Sequence, residues 1–163
     1  MLRRALFATM LVCAVTGPAV SADPDAKPKT RSELIAKVME LTNAERTRFG
    51  LKPLTYEVRL ERAAQWMAED MAIKGYFSHT DSQNRSIGQR VPSFGYNNYQ
   101  SLRENLAAGQ RSAEEVVDGW MHSPAHRDAI LCPKVEHIGL GFYYLEESKY
   151  KTYWVQEFGK EMD

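Results

Sequence analysis

Two runs of alternating side chains near the C-terminus constrain the fold of this chain more than any other feature. The first run alternates at Ile138, Leu140, Phe142 and Tyr144, and the second at Tyr150, Thr152, Trp154, Gln156 and Phe158. Because the side chains of a β-strand point alternately to its two faces, these runs predict an antiparallel hairpin with its turn at residues 146–149. Gly139 and Gly141 leave the other face of the first strand almost bare, which predicts that another element packs very close there.

The N-terminal part of the chain carries helix signals. Thr30 and Glu33 have the spacing of a capping box, and apolar residues then recur on one helical stripe until Gly50. A second helix is predicted over about 56–74 and ends at Gly75, a residue that tolerates a left-handed cap. The alanines on its apolar face permit the close approach of a neighbouring element.

Residues 75–101 are punctuated by glycine, proline and asparagine, so we expect irregular structure with one short helix around 87–91. The segment also holds five aromatic residues, Tyr76, Phe77, Phe94, Tyr96 and Tyr99. This aromatic content is typical of an ordered segment, and we expect these side chains to line a groove. Residues 102–107 are a candidate third strand.

Two short helices are predicted between this segment and the hairpin. Ser112 begins a second capping box with the glutamate three residues later. Ser123 followed by Pro124 has the pattern of an N-cap and a first-turn proline, so His126 lies in the first turn of the next helix. Helices before and between antiparallel strands indicate an α+β layered domain.

Residues 1–22 have the pattern of a secretory signal peptide. A basic start precedes an apolar run that is too short to span a bilayer, and small residues favour cleavage after Ala22. The alternative is an uncleaved membrane anchor. Residues 23–30 form a polar tether, which leaves 31–160 as a single domain. We therefore expect a secreted or periplasmic protein.

Charge and cysteine content limit the partners of the exported chain. Removing residues 1–22 takes away two arginines and no acids, so 19 basic residues face 21 acidic ones. No overall basic charge remains to attract nucleic acid. Cys132 is then the single cysteine, so no intramolecular disulfide forms. We expect Cys132 to be a small buried side chain in a monomer; the alternative is a disulfide-linked dimer through Cys132.

Several short motifs follow one another in a characteristic order. They are Phe77-Ser78-His79, Arg103-Glu104-Asn105-Leu106, Trp120-Met121-His122-Ser123-Pro124-Ala125-His126-Arg127, Ile138-Gly139-Leu140-Gly141 and Tyr153-Trp154-Val155-Gln156-Glu157-Phe158-Gly159. The ordered set resembles the CAP superfamily, also called the SCP domain, which includes cysteine-rich secretory proteins, antigen 5 and pathogenesis-related proteins. The resemblance covers residues 34–158, is closest to the short bacterial secreted type, and implies a three-layer α-β-α sandwich with a small antiparallel sheet.

His79, Glu104 and His126 are the candidates for chemistry. Two imidazoles and a carboxylate are suitable ligands for zinc or another divalent metal. They are also an acid–base set, because histidine titrates near neutral pH. The histidines lie 47 positions apart and no HExxH or CxxC pattern is present. From the residues alone, scattered surface histidines therefore remain an open alternative.

The resemblance implies that these three residues share a site. Family members place two histidines and two glutamates around a central cleft, and some bind a divalent metal there. The motifs match His79, Glu104 and His126 to three of these positions, with the two histidines as metal ligands. Ser123 stands where the second glutamate is expected. The resemblance therefore implies a two-histidine site completed by water, with Glu104 in a direct or a supporting role.

Further residues are expected to support the cleft: Asn105, Trp120, Ser123 and Arg127. We expect Asn105 to satisfy loop backbone groups and Trp120 to fill the core with its indole N–H hydrogen-bonded. We expect Arg127 to form a structural ion pair, the alternative being an anion site.

Three functions remain open. The first is a non-enzymatic module in which the cleft and an adjacent groove bind a lipid, a peptide or a cell-envelope component; the resemblance implies this one, because the family includes lipid- and protein-binding members and has no common catalytic activity. The second is a metal-dependent hydrolase or peptidase, with His79 and His126 on the metal and Glu104 as general base. The third is a metal or pH sensor built on the two histidines, or a structural protein of the cell envelope. The missing second glutamate disfavours the enzyme.

Overall fold

The computed structural model describes residues 29–162, so the predicted signal peptide and residues 23–28 of the tether lie outside the described residues. The elements in chain order are α1 (Arg31–Arg48), β1 (Thr55–Tyr56), α2 (Val58–Lys74), α3 (Ile87–Arg90), a 3-10 helix (Val91–Phe94), β2 (Tyr99–Ala108), α4 (Ala113–His122), α5 (Pro124–Ile130), β3 (His137–Tyr144) and β4 (Thr152–Glu161).

The strands form one sheet in the order β1-β3-β4-β2. Strand β4 pairs antiparallel with both β2 and β3, as predicted for the hairpin and the third strand. Helix α2 packs on one face of the sheet, and α1, α4 and α5 form the layer on the other. The α+β fold and its three layers are confirmed.

Helix ends follow the predicted capping chemistry. The Thr30 hydroxyl accepts a hydrogen bond from the Glu33 N–H at 3.3 Å, and the Glu33 carboxylate accepts one from the Thr30 N–H at 2.6 Å. Gly50 and Gly75 follow α1 and α2 with φ of 73° and 71°, in the left-handed region that glycine tolerates. At Ser112 only half of the predicted box forms, because the Glu115 carboxylate accepts from the Arg111 N–H instead.

The start of α2 differs from the prediction. Thr55 and Tyr56 form the short strand β1, which pairs parallel with the start of β3, and the helix begins only at Val58. His137, the first residue of β3, consequently lies between β1 and β4. Its Nδ1 lies 2.9 Å from the Tyr96 hydroxyl.

The bare face of β3 is covered by α2. A Cβ atom built on Gly139 would lie 2.1 Å from the backbone of Leu60 and Glu61, and one on Gly141 would lie 2.2 Å from the Ala64 carbonyl oxygen. These distances are far below ordinary contact, so only glycine permits this approach. The close packing predicted from the glycine pair is confirmed.

Of the aromatic residues of 75–101, Tyr76, Phe94 and Tyr99 are half-buried against the core, and Phe94 also lines a concave surface beside Trp66. Tyr96 is fully buried against Leu60 and Val91, and Tyr76 packs on the α2 side of the sheet. Phe77 stands exposed. Aromatic content in an irregular segment thus reflects anchoring to the core, because a loop without its own sheet or helix needs large apolar side chains to hold it.

Cys132 is buried in the main core, as expected of a small apolar side chain. Arg46, on α1, is buried beside it and donates from Nη1 to the carbonyl oxygens of Ile130 and Cys132 at 2.6 and 3.0 Å. The arginine thereby satisfies the carbonyls that follow α5 and joins that end of the chain to α1.

Candidate functional site

His79 and Glu104 form a hydrogen-bonded pair at the edge of the sheet. His79 Nδ1 lies 2.8 Å from Glu104 Oε1; the histidine side chain is 62% exposed, and the glutamate side chain is 2% exposed. Since a carboxylate accepts, Nδ1 donates, and Nε2 is the ring nitrogen left for a ligand. The hydrogen bond that His79 donates to Glu104 raises the pKa of His79 above its usual value, against the opposing effect of burial.

The loop that carries His79 is tied down on the α2 side by Asp70. The Asp70 carboxylate accepts from the Tyr76 hydroxyl at 2.5 Å, from the Ser82 N–H at 2.9 Å and from the Ser82 hydroxyl at 2.6 Å. Beyond His79, the buried Asp81 carboxylate accepts from the Arg85 guanidinium at 2.9 Å. Hydrogen bonds on both sides of His79 therefore set its position, although the histidine ring itself is exposed.

Arg90, at the end of α3, completes the support of Glu104. Its fully buried guanidinium donates from Nη2 to Glu104 Oε2 and, at 3.0 Å, to Glu157 Oε1. Glu104 and Glu157 are directly opposed on β2 and β4, so their side chains share the sheet face that α2 covers. One cation thus joins two buried carboxylates, and each oxygen of Glu104 has its own hydrogen-bond donor.

Glu157 is the most perturbed acid of the described chain. Its complete burial raises its pKa to about 8, and the negative charge of Glu104 adds to this effect while Arg90 opposes it. Two atoms of this group, Arg90 Nη1 and Glu157 Oε2, are buried without a hydrogen-bond partner among residues 29–162. Neither Arg90 nor Glu157 was predicted from the sequence as part of the site. The feature of the sequence that could have indicated Glu157 is its position on the strand face that α2 covers.

His126 lies in the first turn of α5 and is half-buried. Burial lowers its pKa, and the positive charge of His79 lowers it further. The two imidazoles are therefore within electrostatic reach of each other. Asn105 fixes the backbone at this point, because its side-chain amide donates to the His126 carbonyl oxygen at 3.0 Å and to Gln156 Oε1 at 3.1 Å.

The remaining supporting residues have structural contacts. The Trp120 indole N–H donates to the Leu106 carbonyl oxygen at 3.1 Å, as expected of a buried tryptophan. Ser123 separates α4 from α5 and makes no capping hydrogen bond through its side chain. Arg127 lies 4.9 Å from the centre of the Phe49 ring. Within the described chain this cation–π contact takes the place of the ion pair expected for Arg127.

The donor set does not meet the usual requirements of a closed metal site. Within residues 29–162, no group of three or more histidine, cysteine, aspartate or glutamate side chains is arranged to hold a metal ion. Both oxygens of Glu104 are already engaged by His79 and Arg90. What remains is a pair of imidazoles, His79 and His126, which fits only a weak site completed by water or by a ligand.

Residues 39–158 match the model of the cysteine-rich secretory protein family, CAP. The chain belongs to the CAP family. The uncharacterised protein YkwD of Bacillus subtilis is 42% identical over 131 residues, which cover 80% of this chain and 49% of that protein. An uncharacterised membrane protein of the same organism, YlbC, is 32% identical and matched over 76% of this chain and 35% of its own length. The chain thus spans half or less of these curated relatives.

Solved structures of CAP proteins share this fold. An outer surface protein of Borrelia burgdorferi is 24% identical with a TM-score of 0.72, and the match covers 82% of this chain and 97% of that protein. An extracellular SCP-domain protein of Bacillus anthracis is 23% identical with a TM-score of 0.69, covering 83% and 45% respectively. No helix among residues 29–162 is both long and apolar enough to cross a membrane.

Proposed function

We propose that this chain acts outside the cytoplasm as a non-enzymatic binding domain, and that its cleft presents His79 and His126 to a ligand. The predicted signal peptide supports export, and the CAP proteins of similar fold include an outer surface and an extracellular protein. A lipid, a peptide or a cell-envelope component remains the expected class of partner.

The observation that supports this proposal is that both carboxylate oxygens of Glu104 already accept hydrogen bonds. A general base must bring a free oxygen within hydrogen-bond reach of the proton that it removes. In this chain one oxygen of Glu104 accepts from His79, the other accepts from Arg90, and the side chain is almost completely buried. Glu104 therefore acts as a positioning residue that holds an exposed imidazole.

The hydrogen-bonded pair of His79 and Glu104 favours a divalent metal as the simplest ligand of the cleft. Histidines that bind metals commonly donate their second ring nitrogen to a carboxylate, which orients the ring and makes it a better ligand. His79 has this arrangement through Glu104. The lowered pKa of His126 favours the neutral ring that a metal ligand needs, whereas at His79 a metal has to compete with a proton that Glu104 stabilises.

Zinc titration calorimetry tests the proposal. We compare the wild-type protein with the His79→Ala/His126→Ala variant and with His122→Ala, which removes a histidine that is exposed at the end of α4. We expect one weak site that the double variant loses and His122→Ala keeps. Zinc binding that survives in the double variant, or no binding by the wild type, contradicts the two-histidine cleft.

A separate assay addresses the hydrolase. The zinc-treated protein is incubated with casein peptides and with cell-wall fragments, and the products are analysed by mass spectrometry. We expect both substrates to remain intact. Cleavage by the wild type that His79→Ala abolishes contradicts a purely binding role, whatever the calorimetry shows.

A further inference from the structure

Strand β2 ends the sheet beside the cleft, because within the described chain it pairs with β4 and with no further strand. In an antiparallel strand the N–H and C=O of one residue point to the same edge, and successive residues point to opposite edges. The Leu106 carbonyl oxygen accepts from the Trp120 indole, away from β4, whereas the Gly109 N–H donates to the first residue of β4. The main-chain groups of Leu102 and Glu104 therefore point outward, as those of Leu106 do.

The outward groups of Leu102 and Glu104 reach solvent. Within the described chain no loop or side-chain group is hydrogen-bonded to them. Glu104 as a residue is half-buried although its side chain is only 2% exposed, so the exposed surface of this residue belongs to its main chain. Leu102 is also half-buried, with its side chain packed against the core. Free N–H and C=O groups at alternate residues are what an added strand pairs with, and we call residues 102–104 the open edge.

The side chains at the open edge favour an acidic partner. Arg103 is exposed on the sheet face opposite to that of Glu104, and among residues 29–162 no ion pair joins it to an acid. On the other face, Glu104 is hydrogen-bonded to His79 and paired with Arg90, so its negative charge is already balanced. The charge without a partner at the open edge is therefore positive.

A second copy of this chain fits the open edge poorly. Antiparallel self-pairing that uses the outward groups of both Leu102 and Glu104 is centred on Arg103, so the two Arg103 side chains lie directly opposite each other. Like charges in this position are destabilising, whereas opposite charges are stabilising. The charge that disfavours self-pairing therefore attracts a strand with an acid at the same position.

We propose that the open edge binds an extended peptide segment with an acidic side chain, which adds to the sheet as an antiparallel strand beside β2. The main chain on either side of the acid pairs with Leu102 and Glu104, and the acid pairs with the Arg103 guanidinium. The segment then runs alongside His79. This proposal names a ligand class for the cleft and rests on the binding role proposed above, but it does not require a metal.

The peptide STVEVTS, acetylated and amidated at its ends, is the probe. Its glutamate matches the position opposite Arg103. The protein is titrated with the peptide and followed by NMR, and amide hydrogen exchange is measured with and without saturating peptide. We expect saturable binding and slower exchange at Leu102 and Glu104, whose N–H groups point outward. Exchange at Arg103 and Asn105 should change much less, because their N–H groups already face β4.

Methylated peptides test whether the main chain is recognised. N-methylation of both valines removes the two donors that face β2, whereas N-methylation of the glutamate removes an N–H that points to solvent. We expect the first change to weaken binding by about tenfold or more, since two hydrogen bonds are lost, and the second to have a much smaller effect. Equal effects of the two methylations, or no saturable binding of the unmodified peptide, overturn the proposal.

Matched charge variants test the acidic position. Arg103→Ala, or glutamine in place of the peptide's glutamate, should weaken binding by about two- to fivefold, the range of a cross-strand ion pair. Arg62→Ala, which removes an exposed arginine on α2, should leave the affinity unchanged. Equal affinities of all these combinations overturn the proposal, as does a dimer in sedimentation velocity that occupies the open edge instead.

Zinc calorimetry on the same samples separates this proposal from the proposed function. Zinc binding without peptide binding overturns the added strand and leaves the two-histidine cleft intact. Peptide binding without zinc binding supports the added strand and contradicts the two-histidine cleft.

Discussion

Replacing Arg90 by methionine tests the buried charge group that supports the cleft. Arg90 is fully buried, and the side chains of its partners Glu104 and Glu157 are 2% and 0% exposed. Methionine keeps much of the volume but leaves the buried Glu104 carboxylate, and the opposed Glu157 wherever it is ionised, without their cation. Breaking a buried ion pair from one side costs about 3–5 kcal/mol, so we expect the free energy of unfolding to fall by about that amount.

Arg59 provides the matched control because it also bridges two glutamates, Glu57 and Glu161, at 2.7 and 3.0 Å. Its side chain is 32% exposed, so water replaces the lost contacts, and Arg59→Met should cost about 1 kcal/mol. Unfolding in urea at pH 7, followed by circular dichroism, measures both losses. Equal losses for Arg59→Met and Arg90→Met would refute the reasoning.

The pKa of Glu157 makes the stability loss caused by Arg90→Met depend on pH. Burial raises the pKa of Glu157 in the folded state, so the stability that its proton contributes is present at low pH and is lost as the pH rises through that pKa. A protonated Glu157 needs no cation. We therefore expect Arg90→Met to be more costly at pH 9 than at pH 6, and adding Glu157→Gln to recover part of the loss at pH 9.

Three further changes test the packing and the cleft. Gly139→Ala places a methyl 2.1 Å from the backbone of α2 and should lower the free energy of unfolding in urea by about 3 kcal/mol or more, whereas Gly119→Ala, in an open helical position, should raise it by about 0.5–1 kcal/mol. Burial lowers the pKa of His126 in the folded protein, so the stability that its neutral ring contributes above pH 6.5 is lost as the pH falls through that lowered pKa. His126→Gln should therefore flatten the decline in melting temperature between about pH 7 and 5. Asp70→Ala removes three hydrogen bonds to the loop, should cost about 1–3 kcal/mol, and should increase amide hydrogen exchange at Ser82.

The sequence predicts the layers of this fold because the evidence for them is local. The alternation in the hairpin, the caps at Thr30, Gly50 and Gly75, and the glycine pair on β3 each depend on residues that are close in the chain. The close approach of a neighbouring element to β3 follows from the two glycines alone, because a strand face without side chains leaves a space that another element must fill. Strand β1 was not predicted, because two residues are too few to show the alternation of a β-strand.

The support of the cleft depends on long-range register, which a single sequence does not reveal. Glu157 lies in a strand with apolar neighbours, and nothing local indicates that Arg90, 67 positions earlier, provides its cation. His79, Glu104 and His126 were selected by family motifs, and those motifs do not include α3. The sequence also did not distinguish groove lining from core anchoring for the aromatic residues of 75–101, because both uses require large apolar side chains.

The most direct test of the account is the titration of the histidine rings by NMR, in the wild-type protein and in Glu104→Gln. If Glu104 holds His79 and is not free to act as a base, the neutral His79 ring is protonated on Nδ1. We then expect a His79 pKa above its usual 6.5 and a His126 pKa below it, and we expect Glu104→Gln to lower the pKa of His79. A His79 pKa at or below 6.5, or one that Glu104→Gln leaves unchanged, would contradict it.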